Sequence, residues 1–77
     1  MNVPQMAAQA RAHWKETNPE IYRQMVEDKA LVAESEAAAK LTLMEMKTLM
    51  LGNMTEQEAW QESRQLFIFR TERQLEQ

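Results

Sequence analysis

His13, Ser35 and Ser63 are the side chains of this sequence that could serve acid–base or nucleophilic catalysis. His13 stands beside Trp14 and could act as a general base, but a histidine that stands alone on a helix is far more often structural. Neither serine has a histidine placed to complete a catalytic triad. The sequence therefore predicts that the protein is not an enzyme.

Acidic side chains occur in two close pairs, Glu27 with Asp28 and Glu34 with Glu36. Residues one or two positions apart do not face each other on a helix, so we expect these carboxylates to be solvated surface. The chain has no cysteine and one histidine. Disulfides and thiolate metal sites are thereby excluded, and a zinc site would lack ligands, so we expect no metal and no cofactor.

The charge balance argues against nucleic acid as the main partner. Nine lysines and arginines stand against twelve aspartates and glutamates, for a net charge of −3. A helix-turn-helix is also disfavoured, because the helix that follows the only glycine begins with Glu56 and Glu58, whose carboxylates would face the phosphates. An oligomer-assembled basic surface stays open as an alternative. Its candidate contacts are Arg11, Lys15, Arg23 and Lys29.

Length and composition favour one small helical domain. A core built from 77 residues often supplies only about 3–5 kcal/mol of net stability, so we expect self-association to supplement it. No apolar run approaches the roughly 20 residues that span a bilayer, and the first residues do not resemble a signal peptide. We therefore expect a soluble, cytoplasmic protein without a membrane partner.

The segment from Leu51 to Trp60 predicts the end of one helix and the start of another. Gly52 can take the left-handed conformation that closes a helix, and Asn53 tolerates it nearly as well. Thr55 followed three residues later by Glu58 is the pattern of a capping box. We therefore expect a C-terminal helical hairpin as the frame of the fold.

The remaining helices are predicted from their start signals and apolar stripes. Pro4 and Pro19 suit first-turn positions, and Asn18 is a candidate N-cap. We expect helices over 1–17, 18–29, 30–51 and 55–69, followed by a polar tail over 70–77. A break near Glu27 to Ala30 is favoured, since an unbroken helix would place Asp28 and Ser35 in line with the apolar stripe. A continuous second and third helix stays open.

The expected core combines the large apolar residues that recur at helical spacing. They are Trp14, Ile21, Tyr22, Met25, Leu43, Met46, Met50, Trp60 and Phe67. The third helix carries a second apolar stripe, and Leu66 to Phe69 are four apolar residues in a row that cannot all face one core. The candidate interface is therefore Leu41, Met44, Leu51, Leu66, Ile68 and Phe69. As an alternative, the chain leaves the helix at this end and tucks both phenylalanine rings into its own core.

Three features in order resemble small helical proteins encoded by phages and transposons. They are Trp14, the turn Asn18-Pro19-Glu20-Ile21-Tyr22, and the stretch from Met54 through Ala59-Trp60 to Phe69. The nearest named family is the transposon-encoded TnpV type, from which Lys29 to Lys47 departs in composition. The resemblance implies a mobile-element accessory protein that binds a macromolecule of the host or of the element.

From these observations we expect an all-α bundle of three to four helices that forms a homo-oligomer and binds a protein partner. Its expected function is that of a non-catalytic interaction module, a phage or mobile-element inhibitor or adaptor that occludes its partner. Two alternatives stay open: association with nucleic acid through the basic surface, and capture of a small ligand between protomers.

Overall fold

The computed structural model describes residues 2–68, apart from the side chains of Leu66 and Phe67. Within this range there are four α-helices and no strand. The helices are α1 (Val3–Thr17), α2 (Pro19–Glu27), α3 (Leu31–Leu51) and α4 (Glu56–Phe67). The predicted all-α fold is confirmed. Residues 69–77, which include Phe69 and the predicted polar tail, lie outside the described residues.

Capping boxes begin α1 and α4. The Thr55 hydroxyl accepts from the Glu58 N–H at 3.2 Å, and the Glu58 carboxylate accepts from the Thr55 N–H at 3.0 Å, as the sequence predicts. Asn2 and Gln5 form the same reciprocal pair at the start of α1, at 2.9 and 3.0 Å. Both boxes satisfy N–H groups that have no partner inside the helix.

Asn18 joins α1 to α2. Its side chain makes no capping hydrogen bond to α2, although it stands directly before Pro19. The reason is that Asn18 also closes α1, where its N–H donates to the Trp14 carbonyl at 2.8 Å. Its backbone consequently has φ −138° and ψ 67°, which is not the extended conformation typical of an N-cap.

The break between α2 and α3 is confirmed and has a defined geometry. Lys29 takes a left-handed conformation with φ 57°. Its N–H donates to the Val26 carbonyl at 3.1 Å, and the Ala30 N–H donates to the Met25 carbonyl at 2.8 Å. These two bonds form a Schellman motif, so a lysine performs the task that glycine performs in most such helix ends.

The α3–α4 turn repeats this motif with Asn53 in the left-handed position, at φ 77°. The Asn53 N–H donates to the Met50 carbonyl at 3.1 Å, and the Met54 N–H donates to the Leu49 carbonyl at 3.2 Å. Gly52 has φ −89°, so the expectation that it takes the left-handed conformation is wrong. It precedes the position that the motif requires to be left-handed, which Asn53 occupies.

Helix α3 is the centre of the bundle, since it packs against both α1 and α4, while α2 lies mainly against α1. The buried residues of α3 are Ser35, Ala39, Thr42 and Met46. The neighbouring helices also bury small residues, including Ala7, Ala10, Ala59 and Ser63. Small side chains let helix axes approach closely, and the molecule measures only 16 Å in its shortest dimension.

The predicted core is confirmed at Trp14, Met46 and Trp60, which are buried. The prediction is wrong for Met50, whose side chain is 42% exposed. The buried line of α3 follows Ser35, Ala39, Thr42 and Met46, and in the last turn Leu49 is half-buried while Met50 is exposed. Four other predicted core residues are half-buried: Ile21, Tyr22, Met25 and Leu43. The Phe67 side chain is outside the description.

Two buried hydroxyls explain how polar residues fit the core side of α3. Ser35 donates to the Val32 carbonyl at 3.0 Å, and Thr42 donates to the Ala38 carbonyl at 2.8 Å. Because each hydroxyl bonds within its own helix, burial leaves neither without a partner. Ser35 therefore lies in the core, although its polarity argued against that position in the sequence.

Candidate interaction surface

The face of α3 opposite the core carries a row of solvent-exposed residues, which we call the outer row. Its members are Ala37, Leu41, Met44, Thr48 and Leu51. Their spacing of four, three, four and three positions places them along one side of the helix. Leu41 is 45% exposed, Met44 65% and Leu51 87%. Single exposed apolar residues are ordinary on protein surfaces, but here three large ones lie in one row.

Charged residues border the outer row on its two long sides. Lys40 and Lys47 lie along one side, and Glu45 lies along the other. No ion pair joins Lys40 or Glu45 to another residue in 2–68. The surface is thus an apolar strip with a basic border and an acidic border.

The structure brings together three of the predicted interface residues, Leu41, Met44 and Leu51, on this one surface. The prediction is wrong for Ile68, which is 1% exposed. Its N–H donates to the Arg64 carbonyl, as in the last turn of α4, and its carbonyl accepts from the Trp14 indole N–H, so this residue lies against α1. The Leu66 side chain and Phe69 lie outside the described residues.

The alternative basic surface loses one of its four members to the fold. Arg11 is half-buried, and its Nη1 donates to the Ser35 hydroxyl of α3 at 2.9 Å. The guanidinium therefore links α1 to α3. Lys15, Arg23 and Lys29 are exposed.

An open groove of about 830 Å³ lies between the first turns of α1 and α4. Its lining residues are Gln5, Ala8, Gln9, Glu56, Gln57 and Trp60. Amides, one carboxylate and the edge of a largely buried indole offer hydrogen bonds to a polar ligand.

One carboxyl group of the described residues has a shifted pKa. The pKa of the Glu58 carboxyl is held below its usual range, because the backbone N–H and the hydroxyl of Thr55 both donate to it. That arrangement caps α4 and leads to no reactive group. In residues 2–68 no cluster of histidine and carboxylate side chains is large enough to hold a metal ion.

Sequence reasoning missed the burial of Thr42 on α3, and the bundle buries a further polar residue on α4. Ser63 of α4 is fully buried, and its hydroxyl has no hydrogen-bond partner in the described part of the chain. Its small volume matches the close packing of α4 against α3, which no local sequence signal reveals.

None of the four helices combines the length and apolar character needed to cross a bilayer, as judged over residues 2–68. Comparisons of the chain with protein-family models, with curated proteins and with solved structures found no match.

Proposed function

We propose that this protein is a non-catalytic protein-interaction module whose contact surface is the outer row of α3. The observation that carries the proposal is the exposure of Leu41, Met44 and Leu51 in one line on the central helix. Burying apolar surface contributes about 25 cal/mol per Å². The strip is exposed to solvent in the single chain, so a partner that covers it would gain binding free energy.

The composition of the row suits protein recognition. Met44 is flexible and polarisable and can adapt to an irregular apolar partner, while the two leucines supply fixed apolar volume. The opposite face of α3 packs against α1 and α4. The row is therefore presented on a helix that is held in place before binding, which lowers the entropy cost of association.

The mode of action that we propose is occlusion: the protein covers a surface of its partner, as an inhibitor or adaptor does. The mobile-element setting of this role rests on the resemblance to TnpV-type proteins. Nucleic-acid association gains no support from Arg11, whose guanidinium is committed to Ser35.

The test is affinity capture from an extract of the cells that encode the chain, with proteins quantified by mass spectrometry. Met44→Glu places a charge in the outer row. Val32→Glu is the matched control, because Val32 is 59% exposed on the same helix but lies outside the row. We expect wild type and Val32→Glu to retain the same proteins and Met44→Glu to lose them, with equal helicity by circular dichroism. Equal retention by all three chains would contradict the proposal.

A further inference from the structure

We infer that the outer row is covered by a second copy of this chain, with the two α3 helices side by side and parallel. This inference rests on the proposed function, because it names the occupant of the same surface. The argument comes from the heptad spacing of the row and from the charges that border it.

The spacing of the row fits a two-stranded parallel coiled coil. In heptad terms, Leu41 and Thr48 occupy position a, while Ala37, Met44 and Leu51 occupy position d. The core residues Ala39 and Met46 occupy position f, on the far side of α3. One face of the helix therefore serves the chain's own core, and the opposite face has the pattern of a seam.

The bordering charges select the parallel orientation. Lys40 falls at position g and Glu45 at position e of the next heptad, the pair that faces across a parallel seam. Two-fold symmetry would therefore create two ion pairs, each between Lys40 of one copy and Glu45 of the other. In an antiparallel two-fold pair, the basic side of one helix would face the basic side of the other. Lys40 and Lys47 would then face lysines.

The seam has a natural length of two heptads, from Ala37 to Leu51. Toward the N-terminus the next residue of the row is Glu34, and two copies of this carboxylate would repel each other across the seam. Toward the C-terminus the helix ends at Leu51. Such a short coiled coil is marginal for isolated peptides, but here the helices are already formed and held by α1 and α4.

Pairing through the outer row would also add to the stability of the fold. Beside large apolar residues such as Trp14 and Met46, the core in residues 2–68 holds three fully buried polar ones, Thr42, Ser35 and Ser63. These small polar residues contribute less apolar burial than large apolar residues would at the same positions. Association through the outer row would add apolar burial and would stabilise the fold by mass action as the protein concentration rises.

Sedimentation equilibrium of purified full-length protein over about a hundredfold range of concentration tests the inference. We expect a dimer for wild type. Lys40→Glu and Glu45→Lys should each weaken dimerisation about tenfold, because each places like charges across the seam, and the double variant should restore it. A dimer that Lys40→Glu strengthens or leaves unchanged would overturn the parallel orientation.

A single-cysteine variant checks the orientation independently. The sequence has no cysteine, so Ala37→Cys gives one thiol per chain. In the parallel pair the two copies of residue 37 are adjacent, and mild oxidation should yield disulfide-linked dimers. In an antiparallel pair they would lie roughly 20 Å apart along the helix axis, and no such product should form.

A chain that stays monomeric throughout the concentration range would overturn the inference. The proposed function would then be judged separately by the capture experiment, in which Met44→Glu would still lose proteins that Val32→Glu retains. If the chain is monomeric and all three chains of the capture experiment retain the same proteins, both the inference and the proposed function would be contradicted.

Discussion

Lys29 holds a conformation that lysine adopts at a cost. At φ 57° its Cβ crowds the backbone, which for residues other than glycine is unfavourable by about 1 kcal/mol or more. The Schellman bonds at Ala30 and Lys29 maintain this geometry because they satisfy the last carbonyls of α2.

Lys29→Gly should therefore raise the free energy of unfolding, by about 0.5–1 kcal/mol after allowing for the greater freedom of glycine in the unfolded chain. Urea denaturation monitored by circular dichroism measures this change. Lys29→Ala is the matched control, since it removes the charge but keeps the Cβ, and it should give no gain. Equal gains in both variants would show that the lysine charge, and not the backbone, is the source of the effect.

At the scale of elements, the start and end signals of the sequence were sufficient to place all four helices. Pro19 and the Thr55–Glu58 capping box act through neighbours within four residues, so they can be seen in the sequence. The break after Glu27 was predicted from the phase of the apolar stripe, with Ser35 counted as a polar interruption, although Ser35 is buried. The left-handed residue of the α3–α4 turn is Asn53, one position after the glycine that was expected to take this conformation. Propensity cannot distinguish the two positions, because both residues tolerate the left-handed conformation.

Packing was harder to predict than helix position. Met50 is more exposed than expected, and Ile68 is more buried. The buried line of α3 includes the small residues Ser35, Ala39 and Thr42, and Ile68 lies against Trp14 of α1. A hydrophobicity pattern gives weight to large apolar side chains and cannot detect a close helix contact made by hydroxyls that bond within their own helix. The exposed stripe of Leu41, Met44 and Leu51 was predictable, since α3 is apolar over more than one face.

The hydrogen bond between the Trp14 indole and the Ile68 carbonyl ties the end of α4 to α1. Trp14→Phe removes the donor and leaves a buried acceptor unsatisfied, which costs about 1–3 kcal/mol in addition to the lost ring volume. Trp60→Phe is the control, because it removes the same volume from a largely buried indole for which no hydrogen bond is found in residues 2–68.

We expect Trp14→Phe to lower the free energy of unfolding more than Trp60→Phe does, by about 1 kcal/mol or more. Chemical denaturation of both variants gives the comparison. Equal losses would mean that the contact between the two ends of the bundle rests on ring packing alone.

At the scale of the whole molecule, α3 has two faces in different environments. The inner face of α3 holds α1 and α4 through small, closely packed residues, and its outer face exposes an apolar row bordered by opposite charges. Because a bundle of this size has a small core, covering the outer row would raise its stability. Stability and recognition would then depend on the same surface.

Methionine oxidation tests this account most directly, because the chain carries its own probes. Met44 lies in the outer row and is 65% exposed, Met50 lies outside the row and is 42% exposed, and Met46 is 2% exposed. Hydrogen peroxide oxidises accessible methionines, and mass spectrometry gives the rate at each position. In dilute protein Met44 should react fastest and Met46 slowest.

As the concentration of wild-type protein rises, we predict that Met44 becomes slower to oxidise than Met50, while Met50 and Met46 keep their rates. That reversal would show that a second chain covers the outer row. A Met44 rate that stays above that of Met50 at every concentration would contradict the account.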